Sequence, residues 1–275
     1  MKIESYNFKI DKENYKKYYL FRYFPSYERL ESFLKNGIYL TRADKFTDNL
    51  ECVNYENLIQ INKRKNFNRL LPEHNPHLTH RELSELIEKA NLELQVLAEK
   101  IEIQQKKYHI SCWYLSQHKN ENELMWRSYG FNYNNGKSGF LVRINLKDFI
   151  ENLNSIQHIN NQISNLVYGS VSYYDFNNDN SIQKVKFTGF RKHVSFKDEN
   201  EFRLIFNSKC DNSLENIFLK IPNSLYYDTT IIAHPNLDLN EYHKIRTKLE
   251  SNYDISLELS EIYIWYKLKK IHTIK

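Results

Sequence analysis

The clearest pattern of hydrophobic and polar positions lies in residues 196–206, where a polar, acidic start gives way to regular alternation. Apolar side chains such as Phe202 alternate there with charged ones such as Glu201 and Arg203. A period of two is that of a β-strand, in which successive side chains lie on opposite faces. The sequence therefore predicts a strand that carries Glu199, Glu201 and Arg203 in one row on one face.

Several other segments have the length and the aromatic or β-branched content of strands. These predicted strands cover residues 18–24, 38–40, 108–114, 139–144, 166–173, 217–221, 229–233 and 256–264. Residues 1–17 are polar and are expected to form a loose lead-in.

Helical spacing of apolar residues predicts a long helix from His80 to about Lys106, begun by a capping box of Thr79 and Glu82. With a second helical pattern just before it, this helix forms a predicted insertion of about residues 54–106. The predicted fold class is α+β: a mixed, mainly antiparallel β-sheet core with flanking helices, in a single domain of residues 1–275.

Composition restricts the class of protein further. The chain has 275 residues, of which 41% are hydrophobic and 15% aromatic, enough for a packed core. The net charge of +5 is compatible with a nucleotide or nucleic-acid partner but does not require one. Three cysteines without a C-x-x-C pair, no signal core and no long apolar run predict a cytoplasmic protein that does not enter a membrane.

Short motifs recur from about residue 18 onward. They include Phe46, Asp48 and Glu51 in a polar turn, Trp126 and Tyr129 in an LMW…Y block, and Lys192, His193, Phe196, Glu199, Glu201 and Arg203 in a KH…F..E.E.R block. These motifs resemble those of the family called domain of unknown function 2971. Asn49 stands where the family has proline, and Trp113 where it usually has phenylalanine. The resemblance implies an intracellular protein of a mostly bacterial family and supplies no activity.

A more distant resemblance, to ADP-ribosyltransferases, rests on the order Arg22, Ser111 and Glu199-x-Glu201. Enzymes of that type carry an arginine on an early strand, a Ser-x-Ser strand and a Glu/Gln-x-Glu strand. The second serine is missing here, where Ser111 is followed by Cys112 and Trp113.

That resemblance implies a site for NAD as substrate. Glu201 would stabilise the oxocarbenium-like transition state, and Glu199 would activate the acceptor, a protein or a nucleic acid. On the cofactor side, Arg22 would hold the pyrophosphate and Ser111 the ribose. The other candidate cofactor-binding residues are Trp113, Tyr129 and Arg203. The expected protein is then an NAD-dependent ADP-ribosyltransferase-like enzyme, a bacterial toxin or an anti-phage effector.

Alternatives remain open. The acids of Glu199-x-Glu201 could be an ion row neutralised by Arg22 and Arg203. With Asp48 and Glu51 they could bind Mg²⁺ in a nuclease. The simpler interpretation is that Asp48 caps the following helix and that Glu51 complements the dipole of that helix. No metal site is predicted. A nucleic-acid-binding module or a non-catalytic interaction subunit is also possible, and the latter predicts both acids buried in ion pairs without an adjoining cleft.

Overall fold

The computed structural model describes residues 2–6, 8–64, 77–132, 137–155, 165–176, 187–208, 217–222, 224–227 and 229–262. The α-helices in these ranges are α1 (Tyr27–Asn36), α2 (Tyr55–Arg64), α3 (His80–Gln105), α4 (Glu123–Tyr129), α5 (Leu146–Ser155), α6 (Ser224–Tyr227) and α7 (Leu239–Tyr253). The strands are β1 (Lys2–Tyr6), β2 (Tyr19–Phe24), β3 (Ile38–Arg42), β4 (Tyr108–Ser116), β5 (Phe131–Asn132), β6 (Lys137–Ser138), β7 (Phe140–Asn145), β8 (Asn165–Ser170), β9 (Ser172–Tyr174), β10 (Arg191–His193), β11 (Glu201–Asn207), β12 (Ile217–Leu219), β13 (Thr229–Ala233) and β14 (Leu257–Leu259). Short 3-10 helices cover Lys12–Lys17, Ala43–Lys45, Thr188–Phe190 and Val194–Glu199.

Within the described ranges, one mixed sheet of ten strands forms the centre of the fold. Its main path runs β1-β8-β11-β4-β2-β7-β13-β14, and β3 joins β4 to β12. Most neighbours are antiparallel, while β1 with β8 and β13 with β14 are parallel. The predicted α+β class with a mixed, mainly antiparallel sheet is confirmed.

Local signals set the ends of the helices that flank the sheet. The Ser26 hydroxyl accepts a hydrogen bond from the backbone N–H of Arg29 and begins α1, which ends at Gly37 with φ of +93°. The capping box predicted for Thr79 and Glu82 is present at the start of α3. The part of the insertion that is described, α2 and α3, is helical as predicted, and residues 65–76 lie outside the described ranges.

The sheet separates two apolar layers. One face packs against α1, α5, α6 and α7 in the largest cluster, which includes Leu20, Phe24, Trp113, Phe202 and Leu204. The opposite face is covered by α4 and by the segment around residues 43–58 in smaller clusters. Phe21 and Tyr23 belong to this second face, as strand alternation requires.

The sheet forks at β4. The C-terminal half of β4 pairs with β2, where Phe21 lies opposite Tyr114, and its N-terminal half pairs with β3, where Thr41 lies opposite Ile110. Between these two pairings β2 and β3 diverge. The fork opens the sheet beside Arg22, the residue that follows Phe21 in β2.

Two sequence predictions of local structure are wrong. Residues 1–17 are not merely a lead-in, because β1 forms an edge strand parallel to β8. Glu199 does not share the strand row of Glu201 and Arg203, because it ends the 3-10 helix Val194–Glu199. Asn200, with φ of +36°, turns the chain from that helix into β11.

Candidate active site

A cavity of about 240 Å³ lies over the face of β4 and β11 that carries Cys112 and Glu201. It collects residues that are far apart in the sequence. Its lining comprises Phe21, Arg22, Tyr23, Thr41, Phe46, Thr47, Asp48, Glu51, Ile110, Cys112, Trp113, Tyr114, Met125, Tyr129, Lys192, Phe196, Glu199 and Glu201. Apolar and aromatic walls with a few convergent charged groups are typical of small-molecule sites.

Glu201 is the carboxylate with the most cationic contacts in this cavity. Register in the sheet places it opposite Tyr114. Its Oε2 accepts a hydrogen bond from Arg203 Nε at 2.5 Å, and its Oε1 accepts one from Lys192 Nζ at 3.2 Å. The side chain is 7% exposed. Glu201 is therefore an oriented, nearly buried carboxylate at the cavity wall.

Glu199 lies beside it and shares Lys192. Lys192 Nζ donates to Glu199 Oε2 at 2.5 Å, and the Tyr129 hydroxyl donates to Glu199 Oε1 at 2.6 Å. The ammonium of Lys192 also lies 4.4 Å from the centre of the Phe196 ring. Although Glu199 is not on the strand, these contacts bring both acids to one ammonium group.

The two carboxyl groups are driven to opposite pKa shifts. Burial raises the pKa of Glu199. A hydrogen bond with Glu201 and the negative charge of Glu201 raise it further. Burial also opposes ionisation of Glu201, but the charges of Arg203 and Lys192 outweigh it and lower the pKa of Glu201 to about 2. Neighbouring acids with diverging pKa values are typical of acid–base pairs in enzymes.

Arg203 supports Glu201 from behind. Its Nη1 and Nη2 donate to Glu51 Oε1 and Oε2 at 2.9 and 2.8 Å, a bidentate pair, and Nη1 also donates to the Gly189 carbonyl at 2.6 Å. Arg203 is fully buried and Glu51 is 1% exposed. The expected binding of a cofactor by Arg203 is therefore corrected, because its donors already face protein acceptors and it does not line the cavity.

Arg22 bridges the fork in the sheet. Its Nη1 donates to Ser111 Oγ and its Nη2 donates to the Tyr39 carbonyl at 3.1 Å. Burial lowers the pKa of Arg22 to about 10, so the guanidinium stays charged at neutral pH. Among the described residues it has no carboxylate partner. By alternation Arg22 belongs to the face opposite Glu201, and the cavity meets it at the fork.

Ser111 is not a direct contact for a ribose, which corrects that expectation. It is 1% exposed, does not line the cavity, and accepts hydrogen bonds from Arg22 and from Trp113 Nε1, the latter at 3.0 Å. Its position opposite Leu204 puts it on the face of β4 that packs in the largest apolar cluster. Ser111 positions Arg22 and Trp113, which do line the cavity.

Most of the other residues singled out in the sequence also meet at this cavity. Phe46, Asp48, Glu51, Tyr129, Lys192 and Glu199 line it. Trp126 does not; it is 2% exposed and donates from Nε1 to Glu121 Oε2 at 2.6 Å. His193 lies next to Lys192 but outside the lining, where its Nδ1 accepts a hydrogen bond from the Ser195 N–H.

The structure also shows what Asp48 and Glu51 contact in the acidic turn. Asp48 Oδ1 accepts from the Leu50 N–H at 2.9 Å, so it closes a turn rather than capping α2, which begins at Tyr55 with an Asn54 cap. Glu51 pairs with Arg203 rather than with a helix dipole. Among the described residues, no group of three or more histidine, cysteine or acidic side chains is arranged to hold a metal ion.

Sequence inspection did not single out Phe21, Tyr23, Tyr114 or Met125 as part of a site. Each reads as an ordinary core residue in a strand or helix, and each does pack in the cluster under α4. Their place in the cavity depends on strand register and on the fork. The sequence carries one signal for Tyr114, because Cys112 and Tyr114 alternate with Trp113 and so share one face of a strand. It does not indicate which strand pairs with that one.

Comparison with known family models gives a match over part of the chain. A model described as a protein of unknown function, DUF2971, matches residues 125–204. The matched segment contains Tyr129, Lys192, Glu199 and Glu201, and it leaves out Arg22 and Glu51. The match is thus narrower than the resemblance from residue 18 onward. No curated protein matches the chain, and no solved structure matches it.

Within the described ranges, no helix combines the length and apolar character needed to cross a bilayer.

Proposed function

We propose that this protein is an NAD-consuming enzyme, similar in chemistry to ADP-ribosyltransferases, that breaks the bond between nicotinamide and ribose. The observation that carries the proposal is Glu201, an ionised carboxylate oriented by Arg203 and Lys192 at the wall of an aromatic-lined cavity. A fixed carboxylate of this kind stabilises the positive charge that develops on the ribose as the bond breaks.

The second acid fits the second half of the reaction. Glu199 contacts the same ammonium as Glu201, and its raised pKa makes its carboxylate a stronger base than an ordinary glutamate. In the proposal it removes a proton from the acceptor that attacks the ribose carbon.

Arg22 and the aromatic walls supply binding. A charged guanidinium without a carboxylate partner among the described residues suits the pyrophosphate of NAD. Tyr129, which is 43% exposed, offers a ring surface for nicotinamide, whereas the expected stacking on Trp113 is corrected because its ring is 1% exposed and packs in the core. The cavity, at about 240 Å³, is below the ~300–1,000 Å³ typical of ligand sites. It therefore takes the nicotinamide ribose, and the adenosine half lies at its mouth.

An interaction subunit without chemistry is less well supported. That alternative predicts Glu199 and Glu201 in buried ion pairs without an adjoining cleft. The ion pairs with Lys192 and Arg203 are present, but both acids also line the cavity. We further propose that the enzyme acts in the cytoplasm as a bacterial toxin or an anti-phage effector.

The test is release of nicotinamide from NAD by the purified chain and by Glu201→Gln, with Glu258→Gln as control. Glu258 is an exposed acid on β14, outside the cavity. Loss of a preorganised electrostatic contact is expected to slow turnover by roughly 10²–10³-fold in Glu201→Gln, and the control is expected to match wild type. Absence of nicotinamide release by wild type would refute the proposal.

A further inference from the structure

We infer that the acceptor in the proposed reaction is water, so that the protein hydrolyses NAD to nicotinamide and ADP-ribose instead of modifying another molecule. This inference rests on the proposed function and concerns the same site. It is based on the surroundings of Glu199, the residue that would take the proton from the acceptor.

Access of an acceptor to Glu199 is restricted. Glu199 has a side chain only 15% exposed, and its two oxygens already accept hydrogen bonds from the Tyr129 hydroxyl and from Lys192 Nζ. An acceptor must approach through the cavity, whose volume of about 240 Å³ would be largely taken by the nicotinamide ribose. Water, with a share of liquid volume of ~30 Å³, still fits. A protein side chain would have to enter the space that the nicotinamide ribose fills.

The positive charge beside Glu199 also restricts the kind of acceptor. An arginine or lysine acceptor would place its cation against Glu199 and Glu201, but the ammonium of Lys192 already occupies that position, 2.5 and 3.2 Å from the two carboxylates. The same lining carries the acids Asp48, Glu51, Glu199 and Glu201 besides Lys192 and Arg22. Exclusion of a cationic acceptor therefore depends on Lys192, which such an acceptor would have to displace from the two carboxylates, whereas a neutral acceptor leaves it in place.

The chemistry balances without any further reagent. The bond between the ribose carbon C1′ and the pyridinium nitrogen breaks, and its electron pair stays on nicotinamide, which leaves neutral. The water oxygen forms the new bond to C1′ from its lone pair. Its proton passes to the Glu199 carboxylate and then to solvent. Nothing is oxidised or reduced.

The test is turnover of NAD by the full chain in ¹⁸O-labelled water, with agmatine added as a small guanidinium acceptor. Mass spectrometry is expected to find one ¹⁸O atom in each ADP-ribose, in equal amount to the nicotinamide released, and no agmatine adduct. Nicotinamide release with ADP-ribose attached to agmatine or to the protein would overturn this inference and leave the proposed function standing. No nicotinamide release would overturn both.

A pair of lysine variants tests the charge argument. Lys192→Met is expected to slow hydrolysis and to admit agmatine, because the ammonium between the acids is gone. Lys197→Met is the control, since Lys197 is exposed in the same 3-10 helix and lies outside the cavity lining. A folded Lys192→Met variant, verified by circular dichroism, that still excludes agmatine would contradict the role given to Lys192. If that variant does not fold, the isotope result on wild type decides alone.

Discussion

Glu199 and Glu201 are two residues apart in the chain and have different electrostatic surroundings. Arg203 and Lys192 both contact Glu201, whereas Glu199 shares Lys192 and receives its other hydrogen bond from a neutral phenol. Two carboxyl groups this close do not both ionise at their ordinary pKa. The asymmetry of their partners decides which one stays charged.

Activity is expected to fall on acidification as Glu199 gains a proton. Because the pKa of Glu199 is raised from 4.5 while that of Glu201 is lowered to about 2, the loss should begin above pH 4.5. Tyr129→Phe removes a hydrogen bond that favours the charged form of Glu199, so it should move the acid limb to higher pH. The measurement is kcat/KM for NAD against pH.

Tyr226→Phe is the control for that profile, because the Tyr226 hydroxyl bonds to carbonyls of α1 on the other face of the sheet. An acid limb that stays in place in Tyr129→Phe would show that Glu199 is not the group that titrates.

The buried pair of Glu51 and Arg203 gives a stability prediction. Glu51→Ala leaves the fully buried Arg203 without its bidentate partner, and breaking a buried ion pair from one side costs ~3–5 kcal/mol. Urea denaturation should show a loss of this size. Glu56→Ala, at an exposed position of α2, should cost little by comparison. Equal stability of the two variants would contradict the structural role given to Glu51.

At the scale of elements, the site depends on how strands pair more than on which strands form. Alternation in the sequence predicted β11, and aromatic or β-branched content predicted β2 and β4. The sequence did not predict the fork, since the divergence of β2 and β3 depends on the register of both against β4. Nor could it place Glu199 off the strand, because that follows from the left-handed backbone of Asn200.

The end of α1 is fixed by Gly37, which supports the start of β3. Its φ of +93° disfavours other residues, and a Cβ there would lie 2.1 Å from the Leu219 carbonyl oxygen of β12. Gly37→Ala should therefore lower the free energy of unfolding by more than the ~1 kcal/mol that a compatible change would add. Asn36→Ala, one residue earlier and exposed, is the control, and equal denaturation midpoints would contradict this.

At the scale of the whole molecule, the cavity joins three distant parts of the chain: residues 21–51, 110–129 and 192–201. The family match covers the last of these and only the end of the second. Sequence motifs did bring Asp48, Glu51, Lys192 and the two acids into one candidate set. Their common cavity, however, follows from long-range pairing of β11 with β4 and of Arg203 with Glu51, which residue spacing does not encode.

The most direct measurement is a crystal structure of Glu201→Gln with NAD bound, since this variant should bind the substrate and turn it over slowly. The account predicts the nicotinamide ribose in the cavity, with C1′ beside Gln in place of Glu201 and within reach of Glu199, and the pyrophosphate towards Arg22. NAD bound elsewhere, or a cavity that stays empty at saturating NAD, would contradict it.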